Sequence, residues 1–158
     1  MRDVWGYSFP KVGLTVTEED GFITGIFFDS DSRAAAPRTE ETPLIKRAAE
    51  QLYEYFKGER RIFDLPVKPA GTEFQKRVWG AVSRIPYGET RTYKEIAIEA
   101  GNALASRAVG MANHRNPIVI VIPCHRVIGH NGALTGYGGG LDVKKYLLEL
   151  EKAGGRME

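Results

Sequence analysis

Residues 92–117 carry two short helical segments hinged on a glycine, and this stretch constrains the fold more tightly than any other. Thr92-Tyr93-Lys94-Glu95 fits a capping box, opening a helix that runs through Ala100 and stops at Gly101. After Asn102 a second helix is expected from about Leu104 to His114, and Asn116-Pro117 ends it. Two short helices around a glycine-containing turn form a helix-turn-helix signal, in which the second helix lies on DNA. An ordinary helical hairpin gives the same pattern.

The second helix separates these readings. Ala103, Ala105, Ser106, Ala108, Gly110 and Ala112 are small, and Arg107 is the only long polar side chain before His114. Reading the major groove takes several long donors and acceptors at base edges. A smooth helix with one arginine suits a narrower groove, where backbone approaches closely and little sequence is read. Ser106, Arg107, Ala108 and Gly110 are therefore assigned to a DNA-facing surface; close packing on another helix is the plainer use of such a face. Charge agrees with DNA. The net charge of +2 hides an uneven split: residues 1–71 carry 10 basic and 12 acidic side chains, residues 72–158 carry 12 and 8. An anionic partner for the second half follows, nucleic acid being the commonest.

The first half reads as a small α+β unit. Trp5 to Phe9, Gly13 to Thr17 and Gly21 to Phe28 are expected strands, with Glu19-Asp20-Gly21 as a hairpin turn. Asp29 to Glu41 is a polar loop. Thr42 caps a helix with Pro43 in its first position; Leu44, Ile45, Ala48, Ala49, Leu52, Tyr53 and Phe56 recur at helical spacing, and Gly58 ends it. The unit shows no chemistry of its own and is too small to stand alone, so it should lean on the second half. The divisions are an N-terminal domain over 1–61, a linker over 62–71 containing Pro66, Pro69 and Gly71, and a C-terminal domain over 72–158 opened by a Thr72-capped helix.

Chemistry concentrates at Ile122-Pro123-Cys124-His125-Arg126-Val127, which holds the only cysteine and follows the apolar run Ile118 to Ile122, read as a strand. A strand delivering one thiol to a cationic turn is a way to make a thiolate, the nucleophilic form of cysteine. A single cysteine forms no internal disulfide, the N-terminus shows no secretory segment, and the longest apolar run is far short of a bilayer span; a soluble, cytoplasmic protein is expected.

Together these stretches resemble the O6-alkylguanine-DNA alkyltransferases. The similarity rests on Thr92-Tyr93-Lys94-Glu95-Ile96-Ala97, Ser106-Arg107-Ala108-Val109-Gly110, Asn116-Pro117 and the Pro-Cys-His-Arg core. It continues through Leu134-Thr135-Gly136-Tyr137-Gly138-Gly139-Gly140-Leu141 and Lys144 to Glu151, covering nearly all of residues 72–153 in order. The resemblance implies an α+β fold: an N-terminal antiparallel-sheet-plus-helix domain and a C-terminal winged-helix-like domain carrying the cysteine. It implies a monomeric, cofactor-free repair protein that flips O6-alkylated guanine from duplex DNA and moves the alkyl group to Cys124. The resemblance admits O4-alkylthymine as a further substrate and leaves the preference between the two lesions open. His125 is then the base, acting through a water, and Glu151 holds its ring. Tyr93 turns the nucleotide and donates to the leaving guanine, Arg107 fills the stack, and Asn116 ties the recognition helix to the cysteine segment. Val127, Tyr137, Gly138 and Lys144 line the substrate pocket, carbonyls near Cys124 and Val127 accept the guanine amine, and Arg126 joins the DNA surface.

The sequence departs from the family in three places. No cysteine or histidine precedes His114, so no structural metal is expected. Gly138 stands where other members often carry serine, and Asn113-His114 replaces a more apolar pair found in some. A non-catalytic relative that only binds alkylated DNA is the nearest alternative, opposed by Cys124; a helix-turn-helix regulator is opposed by the smooth second helix. A Cys-His hydrolase is opposed by the basic half and by the lack of an Asn or Asp orienter.

Overall fold

A computed structural model describes residues 1–134 and 137–154. Strands β1 (Arg2–Phe9), β2 (Val12–Glu19) and β3 (Phe22–Phe28) form an antiparallel meander in the order β1-β2-β3. Asp20 and Gly21 both take positive φ in the β2–β3 turn, the pairing that matches the twist of a two-residue hairpin. Alternation along β2, with a register shift opposite β3 between Thr17 and Glu18, sends Leu14, Val16, Ile23 and Ile26 to a buried face. Helix α1 (Pro43–Phe56) lies against that face, opened by Thr42 Oγ1 accepting from the Ile45 amide at 3.1 Å.

The second half is helical. Helix α2 (Glu73–Ser83) starts in a Thr72/Gln75 capping box. The short strand β4 (Arg91–Thr92) leads into α3 (Tyr93–Glu99), and the Thr92/Glu95 box is complete: the Glu95 amide donates to Thr92 Oγ1 at 3.1 Å and the Thr92 amide to Glu95 Oε1 at 2.9 Å. Helix α4 (Ser106–His114) follows and begins two residues later than the sequence suggests, with no side-chain cap. Strand β5 (Val127–Ile128) pairs parallel to β4, and α5 (Leu141–Lys152) closes the described fold. The Trp79 indole donates to the Ala112 carbonyl at 2.8 Å, fixing α4 on α2.

The halves share one hydrophobic cluster, so the first does lean on the second. Helix α1 corrects the sequence reading at one point. Tyr53, placed on the apolar face, is 53% exposed, whereas Tyr55 is fully buried and reaches across to α5. The 3.6-residue period fits Tyr55 beside Leu52 and Phe56 equally well once the opposing surface is known.

The apolar run from Ile118 to Ile122 is not a strand. Ile118 makes a single parallel bridge to Ile26, with the Ile26 amide on the Pro117 carbonyl at 2.8 Å and the Val119 amide on the Ile26 carbonyl at 3.0 Å. The chain then folds back on itself: Ile120 takes φ of 73° and the Ile122 amide returns to the Ile118 carbonyl at 2.9 Å. Asn116 holds both ends of this turn, its Oδ1 accepting from the Ile118 amide at 2.9 Å and its Nδ2 donating to the Ile122 carbonyl at 2.7 Å. An apolar pentapeptide, buried here except at the half-buried Val121, looks the same in sequence whether extended or folded back. The clamp explains a testable cost. Asn116→Ala leaves a buried amide and a buried carbonyl unpaired, at about 1–3 kcal/mol each; urea unfolding should show a loss of about 2–4 kcal/mol, and a loss within error of zero contradicts the clamp.

Candidate active site

Cys124 opens a 3₁₀ turn, Cys124–Arg126, directly after the Asn116-clamped loop. Its sulfur is buried and lies 3.8 Å from the Tyr137 hydroxyl. Burial pushes the thiol above its ordinary pKa, against smaller opposing effects from the Asn116 side chain, the Tyr137 hydroxyl and the Lys144 charge. The turn is not the cationic one expected from Pro-Cys-His-Arg. Burial also holds the His125 pKa below its ordinary value, and the Arg126 charge is consumed by Glu151. At rest the site therefore holds a thiol and a neutral imidazole.

Glu151, in the last turn of α5, is the hub. Its Oε2 meets His125 Nε2 at 2.6 Å, the Tyr55 hydroxyl at 2.5 Å and Arg126 Nη2 at 3.0 Å; its Oε1 accepts from Arg126 Nε at 2.7 Å and the Gly88 amide at 3.3 Å. Gly88 takes φ of 81°, a left-handed conformation that glycine adopts without strain, and this brings its amide to the carboxylate. Burial opposes the Glu151 charge, but the hydrogen bonds from His125 and Arg126, with the Arg126 charge, outweigh it and hold the carboxyl far below its usual range. With Glu151 an acceptor, the proton of neutral His125 sits on Nε2. The other ring nitrogen, Nδ1, is buried and has no partner among the described residues.

Arg126 is a correction. Only 6% exposed, it spends its guanidinium on Glu151 and on the Ile85 carbonyl at 2.8 Å, so it braces the interior and offers nothing to DNA. Lys144 is buried too, donating to the Val127 carbonyl at 2.7 Å. The remaining expected residues take separate places. Arg107 and Ala108 are exposed on α4, Ser106 and Gly110 are half-buried, and with Tyr93, Met111, His114 and Arg115 they line an open groove, Ala108 alone standing outside it. A side chain at Gly110 would touch the Tyr93 ring at 3.8 Å, so the helix and the phenol lie against each other there. Gly138 borders the cysteine pocket with open space where a Cβ would be, so serine fits there as well as glycine. Thr135 and Gly136 lie outside the described residues.

Three contributors escaped the sequence reading. Tyr55 is the first. Asp31 and Arg33, from the polar loop of the first half, are the others: they border the pocket over Cys124 with Phe28, Asn113 and Tyr137. Asp31 grips Arg33 through both carboxylate oxygens, and Arg33 stacks on Phe27 at 4.7 Å. Arg33 then donates to the Arg115 and Asn116 carbonyls at 3.0 and 3.4 Å, a side-chain cap on the end of α4. Nothing in a stretch such as Asp29 to Glu41 marks two of its charges as partners of a helix more than eighty residues away. The pocket itself is small, about 10 Å³, roughly what one water needs.

A family model described as 6-O-methylguanine DNA methyltransferase, DNA binding domain, matches residues 73–153, and one described as its ribonuclease-like domain matches residues 7–69. The chain belongs to the 6-O-methylguanine DNA methyltransferase family. A methylated-DNA–protein-cysteine methyltransferase of Methanosarcina acetivorans is 52% identical over 140 residues, 87% of this chain and 90% of that one. The constitutive enzyme of Bacillus subtilis is 48% identical over 150 residues, 90% of this chain and 91% of its own. Among solved structures, the Mycobacterium tuberculosis O6-methylguanine methyltransferase superposes with a TM-score of 0.89 at 42% identity, covering 100% of this chain and 97% of that one. The same organism's protein in complex with DNA gives 0.89 at 44%, with 96% and 94% covered. Among the described residues no helix is long and apolar enough to cross a membrane, and no cluster of three His, Cys, Asp or Glu side chains is placed to hold a metal.

Two predictions follow from this geometry. In this family member both His125 and Glu151 have depressed pKa values, so the unfolded chain binds protons more readily than the folded one. The stability that these two groups contribute is fully present above about pH 6.5 and is lost as pH falls, first through His125 and then, below about pH 4.5, through Glu151. Urea midpoints measured between about pH 8 and about pH 5 should fall with pH; a flat series contradicts the buried neutral imidazole. Removing the Arg33 guanidinium by Arg33→Ala uncaps α4 and should destabilise the protein by about 1 kcal/mol, with faster amide exchange concentrated at the end of α4. Exchange unchanged there means that the cap does no work.

Proposed function

We propose that this protein repairs duplex DNA by moving an alkyl group from O6 of a flipped guanine onto Cys124, once per chain. The observation that supports this most directly is the pairing of one buried thiol with an adjacent imidazole whose Nε2 is fixed on Glu151 and whose Nδ1 is left open. A buried thiol above its ordinary pKa is a poor nucleophile until its proton is taken. His125 Nδ1 takes that proton through a water, and the Glu151 carboxylate stabilises the imidazolium that forms. The thiolate attacks the alkyl carbon, the new S–C bond replaces the C–O6 bond, and the electron pair leaves with the guanine. The restored guanine, still joined to its sugar, takes one proton from the Tyr93 hydroxyl, and the imidazolium returns a proton to the Tyr93 oxygen through solvent, so protons and charge balance.

The remaining roles are proposals of the same kind. Tyr93 donates to the departing guanine, and Arg107, long and exposed on an otherwise smooth helix, fills the gap in the stack. Asn116 links α4 to the cysteine turn, and Lys144 and the Val127 carbonyl shape the pocket beside Tyr137 and Gly138. A purine is far larger than the present pocket, so its entry requires the Tyr137 wall or the Asp31–Arg33 arm to move aside. No second cysteine exists to accept the group, and a thioether gives His125 nothing to expel, so the reaction ends with the chain alkylated. The protein acts as a monomer in the cytoplasm, with alkylated duplex DNA as partner and no cofactor; a free cysteine fits a reducing compartment.

Titration with a duplex carrying one O6-methylguanine, followed by intact-mass and peptide analysis, should add one methyl group per chain, on Cys124. Cys124→Ser should transfer none while binding DNA as well as the unaltered chain. Multiple turnovers, or methyl groups found elsewhere, overturn the proposal.

A further inference from the structure

Asn113 lies in the last turn of α4, is 4% exposed, and borders the pocket over Cys124. Its Nδ2 donates to the Cys124 carbonyl at 3.1 Å, which fixes the orientation of the amide. Its Oδ1 is buried and has no partner among the described residues. An amide oxygen left unpaired in the interior is destabilising, and in a substrate pocket such an atom points to a ligand that completes it. The Cys124 and Val127 carbonyls already carry side-chain donors, Asn113 and Lys144. Among the described residues, Asn113 Oδ1 is the buried side-chain acceptor bordering this pocket that has no partner.

Oδ1 only accepts, so whatever satisfies it must bring an N–H or O–H. If the substrate is O6-alkylguanine in DNA, its chemistry leaves one candidate. Alkylation at O6 removes the hydrogen from N1, and N9 carries the sugar, so the exocyclic 2-amino group is the base's only N–H donor. O4-alkylthymine, alkylated on its carbonyl and linked to sugar at N1, has no N–H at all. We propose that Asn113 is a specificity-determining residue whose Oδ1 accepts a hydrogen bond from the 2-amino group of the flipped guanine, while its Nδ2 holds the Cys124 carbonyl in place. This rests on the reading under Proposed function, and it assigns to a side chain a contact that the family resemblance assigns to backbone carbonyls alone.

The test is a ratio of single-turnover methylation rates of Cys124, read by intact mass, on duplexes carrying O6-methylguanine and O6-methylhypoxanthine, the same lesion without the amine. The unaltered chain should favour the guanine lesion by about tenfold or more, as a site built to pair a polar group does. In Asn113→Leu that ratio should fall toward one through a slower guanine reaction. Rates on O6-methylhypoxanthine and O4-methylthymine, which have no amine to lose, should fall only by the common factor that losing the Nδ2 bond to the Cys124 carbonyl imposes, and by less than the rate on O6-methylguanine. Asn113→Asp, which keeps the acceptor, should retain the preference. If Asn113→Leu does not fold, Asn113→Ala removes the amide without added bulk and the same ratio decides. A chain that takes methyl from neither purine refutes the repair reaction itself. Transfer from both with an unchanged ratio in the variants leaves the reaction standing and refutes the role of Asn113.

Discussion

A single buried carboxylate organises this molecule. Glu151 receives donors from α1 through Tyr55, from the Gly88 turn, and from the cysteine turn through His125 and Arg126. No one of these elements is adjacent to α5 in sequence, and each delivers a group that makes little sense alone. A buried ion pair is not inherently stabilising, since desolvation offsets most of its attraction, but removing one partner leaves the others uncompensated at about 3–5 kcal/mol. The arrangement is therefore hard to lose piecemeal. It gives a precise place to a turn that contains only three residues and would have little reason to hold its shape.

Placing the sulfur inside this framework has a chemical consequence. Burial raises the thiol and lowers the imidazole, so the pair rests uncharged, and the charge needed for reaction appears only when a proton moves. A permanently ionised cysteine on the surface would be open to oxidants and stray electrophiles. A buried neutral thiol facing a water-sized space is protected until an occupant of the right shape arrives. The first half of the chain contributes to that protection. Asp31 and Arg33 border the pocket, and Arg33 also fastens the end of α4, so the sheet domain touches both the thiol's surroundings and the helix that would meet DNA.

Asn116 and Asn113 divide the work at the junction between helix and cysteine. Asn116 is satisfied on both sides and acts as a clamp on the loop that replaces the expected strand. Asn113, one turn earlier, is satisfied on one side only. Two amides of the same type, three residues apart, thus differ in what they leave for a ligand, and composition cannot separate them.

The sequence by itself determined the helix-turn-helix, because capping boxes, a hinge glycine and an Asn-Pro stop are local signals whose partners lie within four residues. It also determined the β2–β3 hairpin, the Thr42-capped helix and the candidate nucleophile, since a lone cysteine in Pro-Cys-His-Arg is a local and specific pattern. The pairing of His125 with Glu151 was reached only through resemblance to a family. What only the tertiary structure decided depends on distant partners. The apolar run at 118–122 turns rather than extends because Asn116 and Ile26 offer it bonds on either side. Tyr55 rather than Tyr53 faces inward because a carboxylate waits for it, and Arg126 is interior because the same carboxylate consumes it. Asp31 and Arg33 gain a place at the site from the way the sheet packs on α4. Each of these outcomes turns on which buried polar group finds a partner, and that is settled by packing between segments far apart in the chain.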